Sequence, residues 1–390
     1  MKKIFLVIFA IVLGSIGILA DINRSLMVGD VRYEIYEREN NGVINRYAIV
    51  LPLEDYSVPN RKLYKGHIKI ASQIKYGDVT YDVASVGKNA FRDCIELTEV
   101  VLPETIHDIQ DYAFADCGNV RISQLSSIES IKPYAFSGTN PIVNTNLTKL
   151  DILYEYAFSG CGIKNVTFGP ELFMLQTYAL IGSDIENIYF TNDELLVENE
   201  LQIAAHAVTQ LKLRELRLPV KKLSLASEFC YDCPELERVI FPNIDYIGAL
   251  DDFYTTSGIE GRFTKTNNLI YECPKMKEVI VMSPNPPIFY KWVVTYLQQP
   301  LIIDDYTQCV LKVPQGSEEL YRADPVWGRF ERIEGFAPGE YSGIEEAPVA
   351  NVEPESAPVY YNLQGMHVKE PVKGQLYIRR TGSKTTKMVY

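Results

Sequence analysis

The chain has 390 residues, a formal net charge of -12 and 47% hydrophobic residues. The excess of acidic side chains argues against a surface for nucleic acid or for anionic lipid, because both need clustered Lys and Arg. Length alone suggests two or more domains, but an internal repeat overrides that expectation, since a solenoid grows along its axis.

The first 20 residues have the pattern of a secretory signal peptide. Lys2 and Lys3 precede an apolar run from Ile4 to Ala20, and Asp21 restores polarity. An uncleaved membrane anchor is the alternative, because the run reaches the lower end of the spanning range. We expect cleavage after Ala20 and therefore no membrane insertion of the mature chain.

Residues 21–82 predict an N-terminal β cap. Residues 31–49 alternate apolar and polar side chains around an Asn41-Gly42 turn, which predicts a hairpin. Residues 68–83 predict a second hairpin around a turn at 76–78. Such a cap would protect the first coil of an open stack from edge-to-edge pairing.

The stretch from Asn89 to Ser183 repeats itself. A three-residue motif recurs every 22 residues, after a first copy that stands 23 residues earlier: Asn89-Ala90-Phe91, Tyr112-Ala113-Phe114, Tyr134-Ala135-Phe136, Tyr156-Ala157-Phe158 and Tyr178-Ala179-Leu180. Apolar pairs stand eight and five residues before the last residue of each motif: Val83 and Val86, Ile106 and Ile109, Ile128 and Ile131, Leu150 and Leu153, Leu172 and Leu175. We expect equivalent side chains to stack coil over coil.

The period selects the architecture. Repeats of 20 to 29 residues are typical of leucine-rich coils, whereas helical hairpins need more. One strand per unit is predicted at alternating segments: 100–102, 166–168, 188–190, 216–218, 239–241 and 279–281. The sequence therefore predicts a mostly β, leucine-rich-repeat solenoid over residues 83–336, with about nine coils of 22–23 residues, some of them enlarged.

Residues 86–103, V-G-K-N-A-F-R-D-C-I-E-L-T-E-V-V-L-P, resemble the BspA-like leucine-rich repeat of bacterial surface proteins. Five cysteines occupy that family's small-residue position after the aromatic residue: Cys94, Cys117, Cys161, Cys233 and Cys273. The segment 309–333 is similar to the family's closing unit. The resemblance covers roughly residues 68–336.

The resemblance implies a secreted or surface-exposed, non-catalytic protein that binds host matrix proteins or other cells. A glycan is a further candidate partner, and the periplasm is an alternative location. Two other functions stay open at this point. One is an envelope-associated structural or scaffolding protein, and the other is a hydrolase with its site in residues 191–308.

The repeat spacing lengthens after Ser183, and a 40-residue unit carries an excursion through residues 254–268. Insertions in a solenoid fall on one face and are often where it binds, although a tolerated surface loop fits the same pattern. We expect exposed side chains there to contact the partner: Tyr254, Thr255, Thr256, Arg262, Asn267 and Asn268.

The C-terminal residues differ in composition from the array. Residues 337–358 are rich in Pro, Glu, Ala and Ser and predict an acidic linker. Residues 359–390 predict a small β module. Within it, Tyr361-Asn362-Leu363-Gln364-Gly365 resembles a C-terminal module of exported Bacteroidetes proteins, which implies a role in export or anchoring.

No motif in the sequence predicts catalysis, a cofactor or a metal site. The pair Cys230-Tyr231-Asp232-Cys233 has redox or half-zinc spacing, but Cys233 belongs to the repeat column and favours packing. Cys94 and Cys117 could lie one coil apart, which leaves a disulfide open as an alternative to packing. The acidic pair Asp304-Asp305 is interpreted as solvated loop charge, since it lacks calcium-ligand spacing.

Overall fold

The computed structural model describes residues 24–40, 42–59, 61–140, 145–191, 200–242, 244–249, 268–290 and 302–341, and the backbone of four strands in residues 359–389. The predicted signal segment 1–20 and linker residues 342–358 lie outside the described residues. By its internal contacts the chain divides into Met1–Gly343 and Ile344–Tyr390.

A single long sheet of 13 strands runs the length of the first unit. From Val79–Val86 onward its strands pair in parallel, one from each coil. Those strands are Asp108–Ile109, Ser130–Ile131, Ile152–Leu153, Met174–Leu175, Glu200–Ile203, Lys222–Leu225, Tyr246–Ala249 and Ile288–Tyr290. They contain or follow the apolar pairs of the repeat. The expectation of one strand per unit is therefore wrong, because those columns form a sheet of their own.

The strands predicted from alternating residues form a second face of the coils, divided into sheets of three, three and five strands. All six predicted segments fall on these strands. The first sheet contains Gly66–Lys69, Leu97–Val101 and Arg121–Ser123, and the second contains Thr145–Leu147, Asn165–Phe168 and Asn187–Phe190. The third contains Glu215–Arg217, Arg238–Phe241, Glu278–Val281, Val310–Pro314 and Arg332–Phe336.

A third side of the coil carries short parallel pairings at the Ala-Phe motif and just after it. These strands are Gly118–Asn119 with Thr139–Asn140, and Val208–Thr209, Cys230–Tyr231 and Ile270–Tyr271. The stack of coils, with parallel pairing on each side, confirms the predicted solenoid.

The N-terminal cap contains the first predicted hairpin as an antiparallel pair, Val31–Asn40 with Val43–Leu51, and an additional strand, Arg24–Val28. The second hairpin is Gln73–Tyr76 with Val79–Val86. Ile68 does not belong to that hairpin, which corrects the prediction. Its strand pairs with Leu97–Val101 on the second face, because the chain changes sheet between the two segments.

The phenylalanine column confirms the stacking that the repeat predicts. Phe91, Phe114, Phe136 and Phe158 are fully buried, and successive ring centroids lie 5.0, 5.2 and 5.3 Å apart. Backbone hydrogen bonds follow the same column, since the N–H of Phe114 donates to the carbonyl of Ala135 at 2.7 Å. Aromatic rings at this spacing pack by offset stacking.

The closing unit contains the α-helix Glu318–Ala323 and the 3-10 turn Trp327–Arg329. Tyr321 and Trp327 are fully buried, and the Trp327 indole N–H donates to the carbonyl of Pro287 at 3.1 Å. A second 3-10 turn covers Leu125–Ser127. Within the described residues no helix is long and apolar enough to span a membrane.

The C-terminal unit contains a four-stranded antiparallel sheet, in the order His367–Val368, Val359–Tyr361, Leu376–Thr381, Lys384–Val389. Its longest pairing joins Leu376–Thr381 to Lys384–Val389 over six residues. This sheet agrees with the β content predicted for residues 359–390.

Candidate recognition surface

The repeat places one residue per coil in left-handed backbone at the same corner. The φ angle lies between 56° and 59° at Tyr112, Tyr134, Tyr156 and Tyr178. That region is uncommon for a bulky residue because its Cβ crowds the backbone. The conformation recurs because it aims the backbone N–H at the next coil, as where Tyr134 donates to the carbonyl of Glu155 at 3.1 Å.

The four tyrosine side chains stack into one row, which we call the tyrosine edge. Ring centroids are separated by 4.8 Å for Tyr112 and Tyr134, by 4.7 Å for Tyr134 and Tyr156, and by 5.0 Å for Tyr156 and Tyr178. The first two pairs are tilted by only 1° and 4°. Each inner ring therefore has both faces covered by its neighbours.

All four rings of the tyrosine edge are half-buried. Because the faces of the inner rings are covered, their exposed area belongs to the ring rims. Burial, followed by the neighbouring side chains, raises the pKa of Tyr134 and Tyr178 above the ordinary value and raises that of Tyr156 to about 12. The phenols of Tyr134, Tyr156 and Tyr178 are therefore neutral near pH 7 and present hydroxyl groups that can both donate and accept hydrogen bonds.

Two arginines extend the row at its N-terminal end. The Arg92 guanidinium lies 4.5 Å from the ring centroid of Tyr112 and 4.3 Å from that of Tyr56. Arg61 covers Tyr56 as well, at 4.5 Å, and forms an ion pair with Asp93 at 2.9 Å. Cations at these distances are attracted by the negative ring faces. This end of the row is therefore positive and aromatic within a chain of net negative charge.

At the C-terminal end of the row, the next residues of the corner column are polar and buried. His206 takes the next left-handed corner, with φ at 56°, and its ring lies 5.1 Å from that of Tyr178. Its Nε2 atom lies 3.4 Å from Oε2 of Glu228, whose side chain is fully buried. Tyr231 packs edge-on against His206 at 4.9 Å. The exposed aromatic row thus ends at the fourth tyrosine.

The site residues predicted from the insertion fall in two groups. Tyr254, Thr255, Thr256, Arg262 and Asn267 lie outside the described residues. Asn268 is only 5% exposed, and its carbonyl accepts a 2.6 Å hydrogen bond from the N–H of Glu228. Asn268 is therefore a member of the corner column, and the expectation that its side chain is exposed is wrong.

The cysteines occupy the interior. All seven are buried free thiols, which includes the five at the repeat's small-residue position. Cys117 Sγ donates to the carbonyl of Phe91 at 2.9 Å, so this thiol is used in packing between coils. Burial raises the pKa of Cys94 to about 11 and that of Cys161 to about 12, which keeps both thiols protonated and unreactive at neutral pH.

The tyrosine edge was within reach of sequence reasoning. In the sequence its members mark the period of the repeat, directly before the Ala-Phe pair. The sequence signal is the tyrosine hydroxyl group. A fully buried aromatic column has no water to hydrogen-bond a hydroxyl group and therefore favours Phe, as the adjacent phenylalanine column shows. A tyrosine repeated at one position indicates a side chain that reaches water.

Comparisons with known proteins agree with this fold. Residues 70–186 match the model of the BspA type leucine rich repeat region in six copies. No curated protein matches the chain in sequence. The array over residues 70–186 is therefore a BspA-type leucine-rich repeat region, as the sequence predicts.

Three solved structures are similar to this chain at low identity, each with a TM-score below 0.5. A leucine-rich repeat protein from Bacteroides ovatus is 21% identical, with a TM-score of 0.40; the match covers 77% of this chain and 66% of that one, just under two thirds of its length. A leucine rich cell surface protein from Faecalibacterium prausnitzii is 13% identical, with 82% and 96% coverage and a TM-score of 0.28. The pneumococcal vaccine antigen PcpA is 11% identical, with 81% and 100% coverage and a TM-score of 0.32.

Proposed function

We propose that this protein is a secreted or surface-exposed, non-catalytic binding protein whose tyrosine edge contacts a protein partner, either a host matrix protein or a protein on another cell. One observation carries the proposal: four half-buried phenols stand in one stacked row that ends in two arginines. Tyr and Arg are residues that protein interfaces favour, because they combine contact area with hydrogen bonding, and the rigid tyrosine ring loses little entropy on binding.

The covered ring faces favour a protein over a glycan. Sugars that pack on aromatic side chains need a free ring face, and Tyr134 and Tyr156 each have a neighbour on both sides. What remains exposed on the inner rings is rims and hydroxyl groups, which suit backbone carbonyl and amide groups of a polypeptide. Glycan binding is the outcome that would redirect the proposal.

The test is binding of the full mature chain to immobilised matrix proteins and to cell-surface extracts, with variants that keep the stack. In the double variant Tyr134→Phe, Tyr156→Phe both rings stay and both hydroxyl groups go. A lost interfacial hydrogen bond is worth about 0.5–1.5 kcal/mol, so we expect affinity to fall about tenfold. Tyr47→Phe is the matched control, because Tyr47 stacks on Tyr36 at 5.2 Å in the cap, away from the row.

A third variant separates the tyrosine edge from the insertion. Replacing residues 254–267 by a short Gly-Ser linker leaves the row intact. If only that variant loses binding, the binding site lies in the insertion, as the sequence predicts, and not on the tyrosine edge. The proposed function as a binding protein would then still hold. If no protein binds the wild type at micromolar concentration, the proposal fails as a whole.

Export is part of the proposal. The pattern of residues 1–20 and the exposed aromatic row suit a protein that works outside the cytoplasm, and the C-terminal sheet is offered as its sorting or anchoring element. Mass spectrometry of the protein recovered from culture medium, outer surface and periplasm tests this. We expect a chain that begins at Asp21, and full-length chain held in the cytoplasm would contradict it.

A further inference from the structure

Three cysteine sulfur atoms meet inside the array. The Sγ atoms of Cys230, Cys233 and Cys273 all lie within 4.8 Å of one another, and those of Cys230 and Cys233 are 4.0 Å apart. All three residues are buried, with exposures of 0%, 0% and 5%. We call this group the thiol triad.

The repeat itself builds two corners of the triad. Cys233 and Cys273 follow the left-handed residues Asp232 and Glu272, with φ at 51° and 53°, so they hold the same place in consecutive coils. The N–H of Asp232 donates to the carbonyl of Tyr271 at 3.1 Å and fixes that register. Cys94 and Cys117 are stacked in the same way, which shows that two sulfurs alone are a packing feature.

The third corner comes from a swap in the motif. The N–H of Cys230 donates to the carbonyl of Leu269 at 3.3 Å, as the N–H of Phe114 does to that of Ala135, so Cys230 stands in the phenylalanine column. Phe229 in turn stands where the repeat has Ala. The Ala-Phe order of the regular coils becomes Phe-Cys, so that a sulfur stands beside the small-residue column where those coils have a ring.

We propose that the thiol triad binds one thiophilic metal ion, of the class of Zn²⁺ or Cu⁺, with the three sulfurs as ligands. At a metal–sulfur distance of about 2.3 Å, sulfurs lie about 3.8 Å apart in a tetrahedral site and about 4.0 Å apart in a trigonal one. Thiolates select these soft ions over Mg²⁺ and Ca²⁺. On binding, each coordinating thiol transfers its proton to water, so uptake weakens as the pH falls.

An acidic cavity gives the ion an access route. A cavity of about 460 Å³ is lined by Cys273 together with four carboxylates, Asp232, Glu272, Asp304 and Asp305. A recess lined by one sign of charge concentrates the opposite ion. The carboxylates also offset part of the cost of bringing a cation out of bulk water. A tetrahedral ion would complete its shell with water from this side, whereas a trigonal ion needs only the sulfurs.

The experiment titrates the reduced full-length protein with Zn²⁺, Cd²⁺ and Cu⁺ separately. Bound metal is counted by mass spectrometry, and thiolate ligation is followed by the ultraviolet charge-transfer band of the Cd²⁺ form. We expect one ion per chain. Cys273→Ala should weaken binding at least about 100-fold, which exceeds the effect of losing an outer-shell group. Cys161→Ala is the matched control, because Cys161 is equally buried in the same column.

A second variant separates ligand loss from misfolding. The double change Phe229→Ala, Cys230→Phe restores the Ala-Phe order of the regular coils and removes one sulfur. We expect it to fold with an unchanged far-ultraviolet spectrum and to lose the charge-transfer band. Wild-type preference for Cu⁺ over Zn²⁺ would indicate a trigonal site, and the reverse preference a tetrahedral one. Reduced wild type that binds none of the three ions, or a stable Cys230–Cys233 disulfide that forms in their presence, would overturn the proposal.

Discussion

The regular half of the array, residues 89–183, and the divergent half, residues 200–290, have similar backbone geometry but different side chains at equivalent positions. In the regular half the N–H of Phe136 donates to the carbonyl of Ala157 at 2.8 Å, and in the divergent half that of Val208 donates to Phe229 at 2.9 Å. The left-handed corner recurs as well, with φ at 59° in Tyr134 and 56° in Glu228. The coil-to-coil hydrogen bonds of the phenylalanine column thus continue in the divergent half.

Two side-chain columns change toward the divergent half. The buried phenylalanine column continues as Leu180, Val208, Cys230 and Ile270, and the tyrosine edge continues as His206, Glu228 and Asn268. Since backbone hydrogen bonds do not depend on side-chain identity, a column can change its chemistry without loss of the fold. In these two columns the regular half repeats Phe and Tyr, whereas the divergent half has a buried His206–Glu228 pair and a cysteine there.

The largest expected effect is the loss of a ring from the regular half. Phe136 lies between Phe114 and Phe158 at 5.2 and 5.3 Å, so Phe136→Ala opens a cavity that stacked coils cannot close. We expect the free energy of unfolding to fall by about 3–5 kcal/mol. Val208→Ala, at the equivalent place in the divergent half, removes two methyl groups and should cost about 2 kcal/mol.

Urea unfolding followed by circular dichroism measures both changes. Ile95→Ala serves as the control, because Ile95 is 72% exposed and its truncation should shift the free energy by less than about 0.5 kcal/mol. Equal costs for Phe136→Ala and Val208→Ala would contradict the view that ring stacking distinguishes the two halves.

The buried His206–Glu228 pair of the divergent half gives the next prediction. Glu228 is fully buried, with Oε2 at 3.4 Å from His206 Nε2. Glu228→Ala removes one member of this buried pair and should cost about 3 kcal/mol. Glu129→Ala is the control, since Glu129 makes a comparable 3.7 Å contact with His107 on the surface. Its cost should stay below about 1 kcal/mol.

The sequence predicts the repeat fold well because the same residue types recur at equivalent positions in each coil. Four copies of the Ala-Phe motif and one Ala-Leu copy determine the coil, and the alternating segments locate the second-face strands. The strands of the long sheet escape prediction for a physical reason: several of them, such as Asp108–Ile109, are only two residues long, and so short a segment cannot show alternation. Their pairing becomes evident only when coils are stacked.

The candidate sites were predicted less well, for the opposite reason. The prediction places Asn268 in an exposed excursion, because the length of the 40-residue unit does not show at which residue the corner column continues. The burial of Asn268 shows that the corner column continues at this residue. Cys273 lies in the same column as Cys233, and the three-residue offset that separates Phe91 from Cys94 also places Cys230 in the phenylalanine column. The spacing does not give the distances between sulfur atoms of different columns and coils, so the meeting of the three thiols becomes evident only in the structure.

Glycine positions test how closely the coils approach in each half. A Cβ at Gly169 would overlap the carbonyl oxygen of Thr148 in the preceding coil, whereas a Cβ at Gly248 would meet the Ser224 side-chain oxygen at 2.9 Å. Backbone cannot move aside as a serine rotamer can. Gly169→Ala should therefore cost about 1–3 kcal/mol, and Gly248→Ala less than about 1 kcal/mol.

Thermal unfolding of the two glycine variants provides the measurement, with wild type as reference. The order of the two melting temperatures matters more than their size. A lower melting temperature for Gly248→Ala than for Gly169→Ala would contradict this, because it would mean that the backbone of the regular half can shift to accommodate a Cβ more easily than that of the divergent half.

The smallest expected effect concerns the pH dependence of the tyrosine edge, a column with no phenol in the divergent half. Burial, and then the adjacent Tyr134 and Tyr178, raise the pKa of Tyr156 to about 12, against about 10 in an unfolded chain. Folding therefore favours the protonated phenol. The stabilisation is fully present below pH 10 and is lost as the pH rises toward 12, because the unfolded chain releases its proton first. Urea unfolding of wild type and Tyr156→Phe should show a constant difference between pH 6 and 8. Above pH 10 the wild type should lose stability faster than the variant, and parallel curves would mean that the stacked rims are as open to water as a free tyrosine.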